Sequence, residues 1–339
     1  MPEGVSAIPV TISELANRLS LSKGTVSRVL NRRNDDLISE STRSRVILAA
    51  REAGYRPNRA ARSLATGRTQ TIAFYTNELT DISSAVVNRL QWLARHSELD
   101  MIIHNFPRHY DGKEEHVISP VGQADGIVAY EPHEYIHLIP DASLGERTPM
   151  VSMGTYLMDD TDFVGTNLIP EIEKAVEHLA AIGCRRIAYV EDHPTSAAPD
   201  FRHQTYAGAM QQAGLRPEYI DVPGSRAAAR SAVTTYVRTN GSPDGMLCRY
   251  DDLAIGAYRG LRDLGLRIPD DVALIGCDGI DDTEYLDPPL STIVQPIERM
   301  CDLAWEFLQK RMADPGCPLQ QIVLPSCLEL RASSLRSPA

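Results

Sequence analysis

The apolar residues of the first fifty-five positions recur at the three- and four-residue spacing of amphipathic helices. A first helix is predicted up to about residue 19, with an inner face made of Ile12, Leu15, Ala16 and Leu19. Thr11 and Glu14 have the spacing of a capping box, in which each side chain accepts a backbone N–H of the other residue. The segment Ser20–Ser22 then ends this helix.

Two more helices are predicted before residue 55. Ser22 can cap the second, whose inner face is Val26, Val29 and Leu30 and whose outer face is Lys23, Ser27 and Arg28. The third begins at Ser39, has Val46, Leu48 and Ala49 on its inner face, and ends at the left-handed position favoured by Gly54. Two helices joined by a short turn, the second with a basic outer face, indicate a helix-turn-helix, although a generic three-helix bundle shows the same pattern.

Beyond residue 70, short apolar runs alternate with helical patterns. Buried strands are predicted at Thr71–Tyr75, Met101–His104, Gly126–Tyr130, Arg186–Val190, Gly245–Cys248 and Val272–Cys277. Helix faces are predicted from Ile172, Val176, Leu179 and Ile182, and from Ala254, Ala257, Leu261 and Leu264. This alternation predicts parallel sheets with right-handed crossovers. The segment is about 265 residues long, more than one core usually supports, so we expect two lobes.

The net charge of −11 is unevenly divided along the 339 residues. Residues 1–70 contain 12 Lys and Arg against 6 Asp and Glu, a net charge of +6, and the remainder has a net charge of −17. A basic module joined to an acidic body fits a nucleic-acid partner, although a basic solvated face would give the same balance.

Composition places the chain among ordinary globular proteins, with 43% hydrophobic and 23% charged residues. No apolar run approaches the ~20 residues needed to span a bilayer, and the N-terminal residues do not resemble a secretory signal. We therefore expect a cytoplasmic protein without membrane contact. The six cysteines have no CxxC spacing and are expected to be buried free thiols; no cofactor is expected.

Three stretches closely resemble the DNA-binding headpiece of the LacI/GalR (lac repressor) family of transcription regulators. They are Thr11–Asn31 (TISELANRLSLSKGTVSRVLN), Ser39–Val46 (SESTRSRV) and Gly54–Leu64 (GYRPNRAARSL). The motifs are long, ordered and correctly spaced. The resemblance implies a regulator, expected to be a repressor, that binds a pseudo-palindromic double-stranded DNA operator as a homodimer.

The resemblance also implies the operator contacts. Lys23 and Gly24 occupy positions that differ between family members, and Lys23 should dominate there because Gly24 has no side chain. Arg28 is suited to guanine, since its guanidinium can pair with O6 and N7 together. The implied DNA-binding residues are Thr11, Ser22, Lys23, Gly24, Thr25, Ser27, Arg28, Asn31, Asn58, Ala61 and Leu64.

Asn58 to about Ala65 match the hinge helix of the family. Eight residues are too few for a helix that is stable alone in water, so it should form only beside its dimer mate on DNA. The resemblance implies that Leu64 opens a central base step from the minor groove. The alternative is that Leu64 is a linker residue covering apolar surface.

The second part of the chain resembles the same family. The matching stretches are Ile182–Val190 (IGCRRIAYV), Leu264–Asp278 (LGLRIPDDVALIGCD) and Tyr285–Ile293 (YLDPPLSTI). They imply the periplasmic sugar-binding-protein fold, with two lobes joined by three strands and a ligand cleft between them. The implied effector-binding residues are Arg202, Tyr250, Asp251 and Asp278. For Arg202 and Asp278, the alternatives are a surface arginine and an interlobe salt bridge.

The cleft departs from the pattern of the family. Tyr250 stands where many relatives have Asn, Gly279 follows Asp278 in place of a second Asp, and Asn167 replaces an Asp after the crossover. The aromatic residues usual near Thr80–Ser83 are absent. We therefore expect a remodelled cleft for a sugar-like effector, which Arg202 and Arg249 would allow to be anionic.

One motif indicates a different class of protein. His133, Glu134 and His137 match HExxH, in which two imidazoles one helical turn apart bind zinc and the Glu activates water. Pro132 precedes the motif, Pro140 would end any helix after two turns, and no clear third ligand follows. A zinc metallohydrolase is thus the alternative to a helix start beside the cleft, and no other catalytic motif supports an enzyme.

These features predict an all-α helix-turn-helix headpiece followed by an α/β two-lobed, periplasmic-binding-protein-like domain with parallel sheets. The expected divisions are a flexible N-terminus (1–9), a DNA-binding domain (10–56), a hinge helix and linker (57–69), an effector-binding and dimerisation domain (70–334) and a tail (335–339). Residues 331–339 contain no leucine heptads, so we expect a dimer without a tetramerising tail.

Overall fold

The computed structural model describes residues 10–30, 38–55, 63, 66–77, 79–106, 124–134, 148–192 and 201–336. The predicted positions that lie outside the described residues are Asn31, Asn58, Ala61, Leu64 and His137. The chain divides into two compact units, Met1–Thr69 and Gln70–Ala339.

Among the described residues between 10 and 55, three short helices surround one small core. They are α1 (Ile12–Leu19), α2 (Lys23–Leu30) and α3 (Glu40–Glu52). The core consists of Leu15, Ala16, Val26, Val29, Val46 and Ala50. Helices of this length are marginal alone, so the shared apolar core stabilises all three.

Local hydrogen bonds begin these helices where the sequence predicts. The Thr11 backbone N donates to the Glu14 carboxylate at 2.7 Å, and the Glu14 N donates to Thr11 Oγ1 at 3.3 Å. The Thr25 N donates to Ser22 Oγ at 3.0 Å, which confirms Ser22 as the cap of α2. Gly54, just after α3, has the expected left-handed φ of 60°.

One inner-face prediction for α3 is wrong. Leu48 is 58% exposed, and Ala50 is buried in its place. Ala50 follows Val46 by four residues and shares its face, whereas a residue two positions from Val46 points elsewhere.

Within the described part of the second unit, the structure has twelve strands. They are β1 (Thr71–Thr76), β2 (Asp100–Asn105), β3 (Gly126–Tyr130), β4 (Met150–Gly154), β5 (Asp162–Asn167), β6 (Ile187–Glu191), β7 (Glu218–Asp221), β8 (Gly245–Cys248), β9 (Ala273–Asp278), β10 (Ser291–Val294), β11 (Gln321–Pro325) and β12 (Cys327–Glu329). The six predicted strands are all present, with ends shifted by at most one residue. Those missed are β4, β5, β7, β10, β11 and β12.

The strands form two six-stranded sheets, one in each lobe. Lobe 1 has the order β2-β1-β3-β4-β5-β11, and lobe 2 has the order β7-β6-β8-β9-β10-β12. All pairs are parallel except β10 with β12. The predicted two-lobed parallel fold is therefore confirmed.

The described helices cover one face of the lobe 1 sheet and both faces of the lobe 2 sheet. They are α4 (Asp81–His96), α5 (Ile169–Ala181), α6 (Phe201–Gln212), α7 (Arg226–Asn240), α8 (Asp251–Asp263) and α9 (Ile297–Ala313). α4 and α9 bury one face of the lobe 1 sheet. α7 and α8 cover one face of the lobe 2 sheet, and α5 and α6 cover the other. The apolar faces predicted for residues 172–182 and 254–264 lie in α5 and α8.

The chain passes between the lobes three times. It crosses at Leu168 between β5 and α5, at Gln295 and Pro296 between β10 and α9, and at Ser326 between β11 and β12. Lobe 1 is therefore completed by α9 and β11, which come late in the sequence.

Five of the six cysteines are buried, as predicted, but Cys327 on β12 is exposed. Its strand lies at the edge of the lobe 2 sheet, where β10 is its one partner among the described strands. No helix within the described ranges is both long and apolar enough to cross a membrane.

Candidate functional site

The outer face of α2 combines exposed polar and basic side chains on a fixed helix. Lys23, Gly24 and Arg28 are exposed, while Val26 and Val29 hold the opposite face in the core. The Arg28 Nε donates to the Gly24 carbonyl at 3.3 Å, which holds the arginine stem along the helix. This geometry can present one helix face to the major groove of DNA.

Packing does not require glycine at position 24. A Cβ there would meet only Ser22 Oγ at 3.7 Å, an ordinary contact. Glycine nevertheless costs a helix about 1 kcal/mol relative to alanine. The lack of a side chain is therefore not explained by the fold of the headpiece.

A second candidate site lies where the carboxyl ends of parallel strands from both lobes converge. Glu131 follows β3 in lobe 1, whereas Asp192, Arg249 and Asp278 lie at the ends of β6, β8 and β9 in lobe 2. Ligands of open α/β sheets bind at this end of the strands. Glu131 and Asp278, one on each lobe, are non-glycine residues with positive φ values of 49° and 125°. Backbone strain of this kind clusters at functional sites.

Arg202 is the second residue of α6 and is buried. Its Nη1 donates to the Arg249 carbonyl at 2.9 Å. Burial acts to lower the pKa of Arg202, but the neighbouring Cys277, Asp278, Tyr189 and Glu131 raise it above its ordinary value. The guanidinium is thus a permanent buried charge surrounded by groups of both lobes.

Arg249 and Tyr250 share a carboxylate partner. Arg249 Nε lies 3.3 Å from Asp192 Oδ1, and the Tyr250 hydroxyl donates to Asp192 Oδ2 at 2.8 Å. The Asp192 carboxylate therefore fixes both side chains after β8.

Asp251 is fully buried, and both of its oxygens are engaged inside lobe 2. Oδ2 accepts from the Gly279 N at 2.7 Å and the Ile280 N at 3.0 Å, and Oδ1 accepts from Thr292 Oγ1 at 2.7 Å. A Cβ at Gly276 would lie 2.0 Å from Oδ1, so glycine is needed there. The carboxylate thereby holds the turn that follows Asp278.

Asp278 is buried beside a residue of the second crossover. The Gln295 Nε2 donates to Asp278 Oδ1 at 2.7 Å. Burial raises the pKa of Asp278 to about 8, against the opposing effect of Arg202. The carboxyl group is therefore largely protonated at neutral pH and can donate as well as accept.

This raised pKa predicts a pH-dependent stability. Between the ordinary pKa of 3.8 and about 8, the folded protein retains a proton that the unfolded chain releases. The stability from protonated Asp278 is complete below this window and is lost as the pH rises through it. Asp278→Asn cannot ionise, so its stability should not fall in this way. We expect the unfolding free energy of Asp278→Asn, relative to that of wild type, to increase by at least about 1 kcal/mol when the pH is raised from about 5 to about 8.

Urea unfolding at both pH values measures this difference. Asp271→Asn is the matched control, because its pKa is lowered to about 2 by Arg267 and it is ionised throughout the window. A wild-type-to-Asp278→Asn difference that does not change with pH would contradict the prediction.

Glu131 supplies a carboxylate from lobe 1. Its Oε1 accepts from the Thr155 N at 2.9 Å and from Thr155 Oγ1 at 3.0 Å. Burial opposes its ionisation, but His133, Arg202 and Thr155 together lower its pKa below the ordinary value. Lobe 1 thus presents a negative charge at the cleft.

His133, the first residue of the HExxH match, lies in a 3-10 turn, Pro132–Glu134. Its ring packs on Tyr156 with 3.8 Å between the centroids, and Tyr156 in turn meets Phe201 of lobe 2 edge-on at 5.1 Å. Among the residues that the structure describes, no group of three or more His, Cys, Asp and Glu side chains could hold a metal.

An open groove of about 1060 Å³ lies between α4 of lobe 1 and the ends of β9 and β10. Asp278 and Gln295 line it from lobe 2, and Asp81, Asn88 and Trp92 line it from α4. It leads from the solvent to the buried polar pair at the second crossover.

Sequence reasoning missed Glu131, Asp192 and Gln295. Glu131 directly follows the predicted strand Gly126–Tyr130, so its position after a strand could have indicated it. Gln295 follows β10, which was itself not predicted, and no sequence signal marks it.

Two family models match the chain. The model for bacterial regulatory proteins of the lacI family matches residues 11–58, and that for a periplasmic binding protein-like domain matches residues 176–334. The ribose operon repressor of Haemophilus influenzae is 27% identical over 94% of this chain and 97% of its own length. The HTH-type transcriptional repressor PurR of Vibrio vulnificus is 28% identical over 90% of this chain and 92% of its own length.

Solved structures show the same fold over almost the whole chain. A lac repressor dimer bound to operator and the anti-inducer ONPF has a TM-score of 0.80 at 23% identity, covering 97% of this chain and all of that one. The transcriptional regulator CelR in complex with cellobiose has a TM-score of 0.67 at 26% identity, covering 96% and 99%.

These matches define a regulatory protein that joins a helix-turn-helix domain to a periplasmic binding protein-like domain. Residues 11–58 match the DNA-binding domain of the lacI family of bacterial regulatory proteins. The relatives named above are transcriptional repressors, and the zinc hydrolase alternative has no support among them.

Proposed function

We propose that the protein is a transcriptional repressor that binds a pseudo-palindromic operator as a homodimer and is controlled by a small sugar-like effector. The observation that carries the DNA-binding part is the capped α2, with Lys23 and Arg28 exposed on one face and Val26 and Val29 buried on the other. In this proposal the protein acts on DNA in the cytoplasm and catalyses no reaction.

The proposed DNA contacts divide by chemistry. Lys23 and Arg28 read bases, because long basic side chains reach acceptors in the major groove. The short polar side chains Thr11, Ser22, Thr25 and Ser27 position the helix by contacts near the backbone. Gly24 allows close approach. Asn31, Asn58, Ala61 and Leu64 complete the proposed set on sequence grounds alone.

Selection of operators from a random duplex library tests this part. We expect Arg28→Ala to cost about 1–3 kcal/mol of operator binding and Lys23→Ala to change the preferred base at defined half-site positions. Arg51→Ala, which removes an exposed charge from α3, is the matched control and should leave the selected sequence unchanged. If neither α2 variant alters the selected sequences, α2 is not the recognition helix.

We propose the interlobe cleft as the effector site, with Arg202, Tyr250 and Asp278 as contacting residues. Burial, positive φ values and converging charges from both lobes support this. The bonded oxygens of Asp251 support a positioning role for that residue, which was first expected to contact the ligand directly. The relatives named for ribose and cellobiose support a sugar-like effector.

Control would pass through the relative position of the lobes. Arg226 of lobe 2 pairs with Asp81 of lobe 1 as well as with Asp252 and Asp282, so lobe movement must break or remake an ion pair. A change in lobe position alters the spacing of residues 57–69 in the two chains of a dimer and thereby the formation of the short hinge helix. Effector and operator then change each other's affinity by the same factor.

A further inference from the structure

Glu131 is held in the cleft by contacts with the three consecutive residues Met153–Thr155. Its own N–H donates to the Met153 carbonyl at 2.8 Å, and its carboxylate accepts twice from Thr155. Its backbone adopts a φ of 49°, a costly conformation for a residue with a side chain. The chain therefore fixes this carboxylate in place.

Gly154 makes room for the carboxylate. A Cβ at position 154 would lie 2.6 Å from Glu131 Cδ and 2.7 Å from Glu131 Oε2. The carboxylate thus occupies the space that a side chain at the end of β4 would take. Glu131 and Gly154 form one unit at the edge of lobe 1.

One oxygen of this carboxylate retains its acceptor capacity. Oε1 receives both Thr155 donors, but within the described part of the chain no group with hydrogen-bond geometry donates to the buried Oε2. The His133 Nδ1 lies 3.4 Å from Oε2. His133 lowers the pKa of Glu131 but does not meet hydrogen-bond geometry at Oε2. A buried carboxylate oxygen without a well-aligned donor is costly, so a donor supplied from outside the chain would stabilise it.

Lobe 2 offers a second acceptor of the same kind. Gln295 is 5% exposed; its Nε2 donates to Asp278, and no donor among the described residues reaches its Oε1. Glu131 and Asp278 both raise the pKa of the Tyr130 hydroxyl and of the Arg202 guanidinium, so these carboxyl groups of the two lobes lie near the same side chains. Each lobe therefore presents an acceptor oxygen to which a hydrogen-bond donor of a ligand can bind.

The charges around the two arginines disfavour an anionic ligand. Arg249 is already paired with Asp192 at 3.3 Å, and the charge of Arg202 is partly offset by the ionised Glu131. A carboxylate or phosphate entering the cleft would meet the ionised Glu131 and would find both guanidinium groups partly neutralised. An uncharged polyhydroxyl compound meets no such repulsion and brings the missing donors.

We propose that Glu131 is the specificity-determining residue of lobe 1, whose Oε2 accepts a hydroxyl hydrogen bond from an uncharged polyhydroxylated ligand and repels ligands with a carboxylate or phosphate. This inference rests on the proposed function of the cleft. It replaces the anionic effector that Arg202 and Arg249 allowed on sequence grounds.

Calorimetric titration of the full chain with matched sugars tests the proposal. The probes are D-glucose with D-glucuronate, D-galactose with D-galacturonate, D-ribose with ribose 5-phosphate, and cellobiose. We expect at least one neutral sugar to bind wild type, and its charged counterpart, where it has one, to bind at least about tenfold more weakly. Glu131→Gln keeps an acceptor for Thr155 but removes the charge, and it should weaken the neutral sugar by about tenfold and reduce the discrimination.

Glu171→Gln is the matched control. Glu171 is also buried and accepts the Leu328 N at 3.0 Å, but it lies on α5 away from Glu131. It should leave sugar binding unchanged, and circular dichroism melting shows whether each variant is folded. Gly154→Ala, which displaces the Glu131 carboxylate without removing it, should also weaken the neutral sugar.

Three results would overturn the proposal: a charged sugar that binds as tightly as its neutral partner, no binding by any neutral probe, or the same sugar affinity in folded Glu131→Gln and wild type. Operator binding is measured separately on the same preparations. If one of these three results is obtained while operator binding is intact, only the proposed ligand class is refuted. If the protein does not bind an operator selectively, the proposed function itself is refuted.

Discussion

Raising the salt concentration from about 50 to about 200 mM is expected to weaken operator binding by about a thousandfold or more. Each chain has a net charge of +6 in residues 1–70 although the whole chain is at −11. A dimer brings two such basic modules to one duplex, and each phosphate contact releases condensed counterions. Fluorescence anisotropy with a labelled operator across this salt range measures the slope.

The variants of this experiment separate backbone contacts from general charge effects. Arg32→Ala, which removes a charge next to the proposed contact Asn31, should reduce the slope. Arg259→Ala, which removes an exposed charge from α8 outside the basic module, should not. If the operator affinity of wild type hardly changes with salt concentration, the basic module does not contact the phosphate backbone.

Arg202→Ala is expected to abolish the response of operator binding to a sugar that acts on wild type, while operator affinity without sugar stays nearly intact. The side chain is buried in lobe 2 and bonds the Arg249 carbonyl at 2.9 Å, so its loss removes a charge and leaves an acceptor open. Removing one partner from a buried charged cluster also destabilises a fold by about 3–5 kcal/mol. Operator titrations with and without sugar measure the response.

A conservative variant distinguishes loss of binding from loss of folding. Arg202→Lys keeps the charge but not the planar guanidinium, so it should retain more stability than Arg202→Ala and still respond weakly. Retention of the full sugar response by folded Arg202→Ala would remove Arg202 from the effector site and leave the DNA-binding proposal untouched.

The headpiece was predictable because its determinants are local. Thr11, Glu14 and Ser22 cap helices within three residues of themselves, and Val26 and Val29 follow the helical period. The error at Leu48 arose because an apolar residue can lie on an exposed helix face. Strands buried on both faces, such as β3 and β8, were equally visible because their apolar runs are continuous.

The missed strands carry polar or exposed residues whose environment is not local. Ser152 on β4 is buried because Thr161 and the Asp162 carbonyl satisfy its hydroxyl. β11 is mostly exposed at the sheet edge, so its apolar residues follow no burial pattern. Strand pairing and long-range hydrogen bonds decide both cases.

In the cleft, too, contacts between residues far apart in sequence could not be predicted. The resemblance brought Asp251 forward as a ligand contact, but its partners Gly279, Ile280 and Thr292 lie 28 to 41 residues away and occupy both oxygens. Glu131 is the reverse case. Its role depends on a glycine at position 154 and on Thr155, more than twenty residues further along the chain.

The three crossovers also govern the order in which the protein can mature on the ribosome. The headpiece is complete by residue 55, whereas the lobe 1 sheet lacks α9 and β11 until residue 325 has been synthesised. Lobe 2 is complete only when Ser333 has been synthesised. The Ser333 hydroxyl donates to the Leu274 carbonyl at 2.6 Å and accepts from the Ser291 N at 2.8 Å. A nascent chain thus carries a folded basic headpiece before either lobe can close. A premature stop between residue 55 and these last residues removes the sensor while sparing the headpiece.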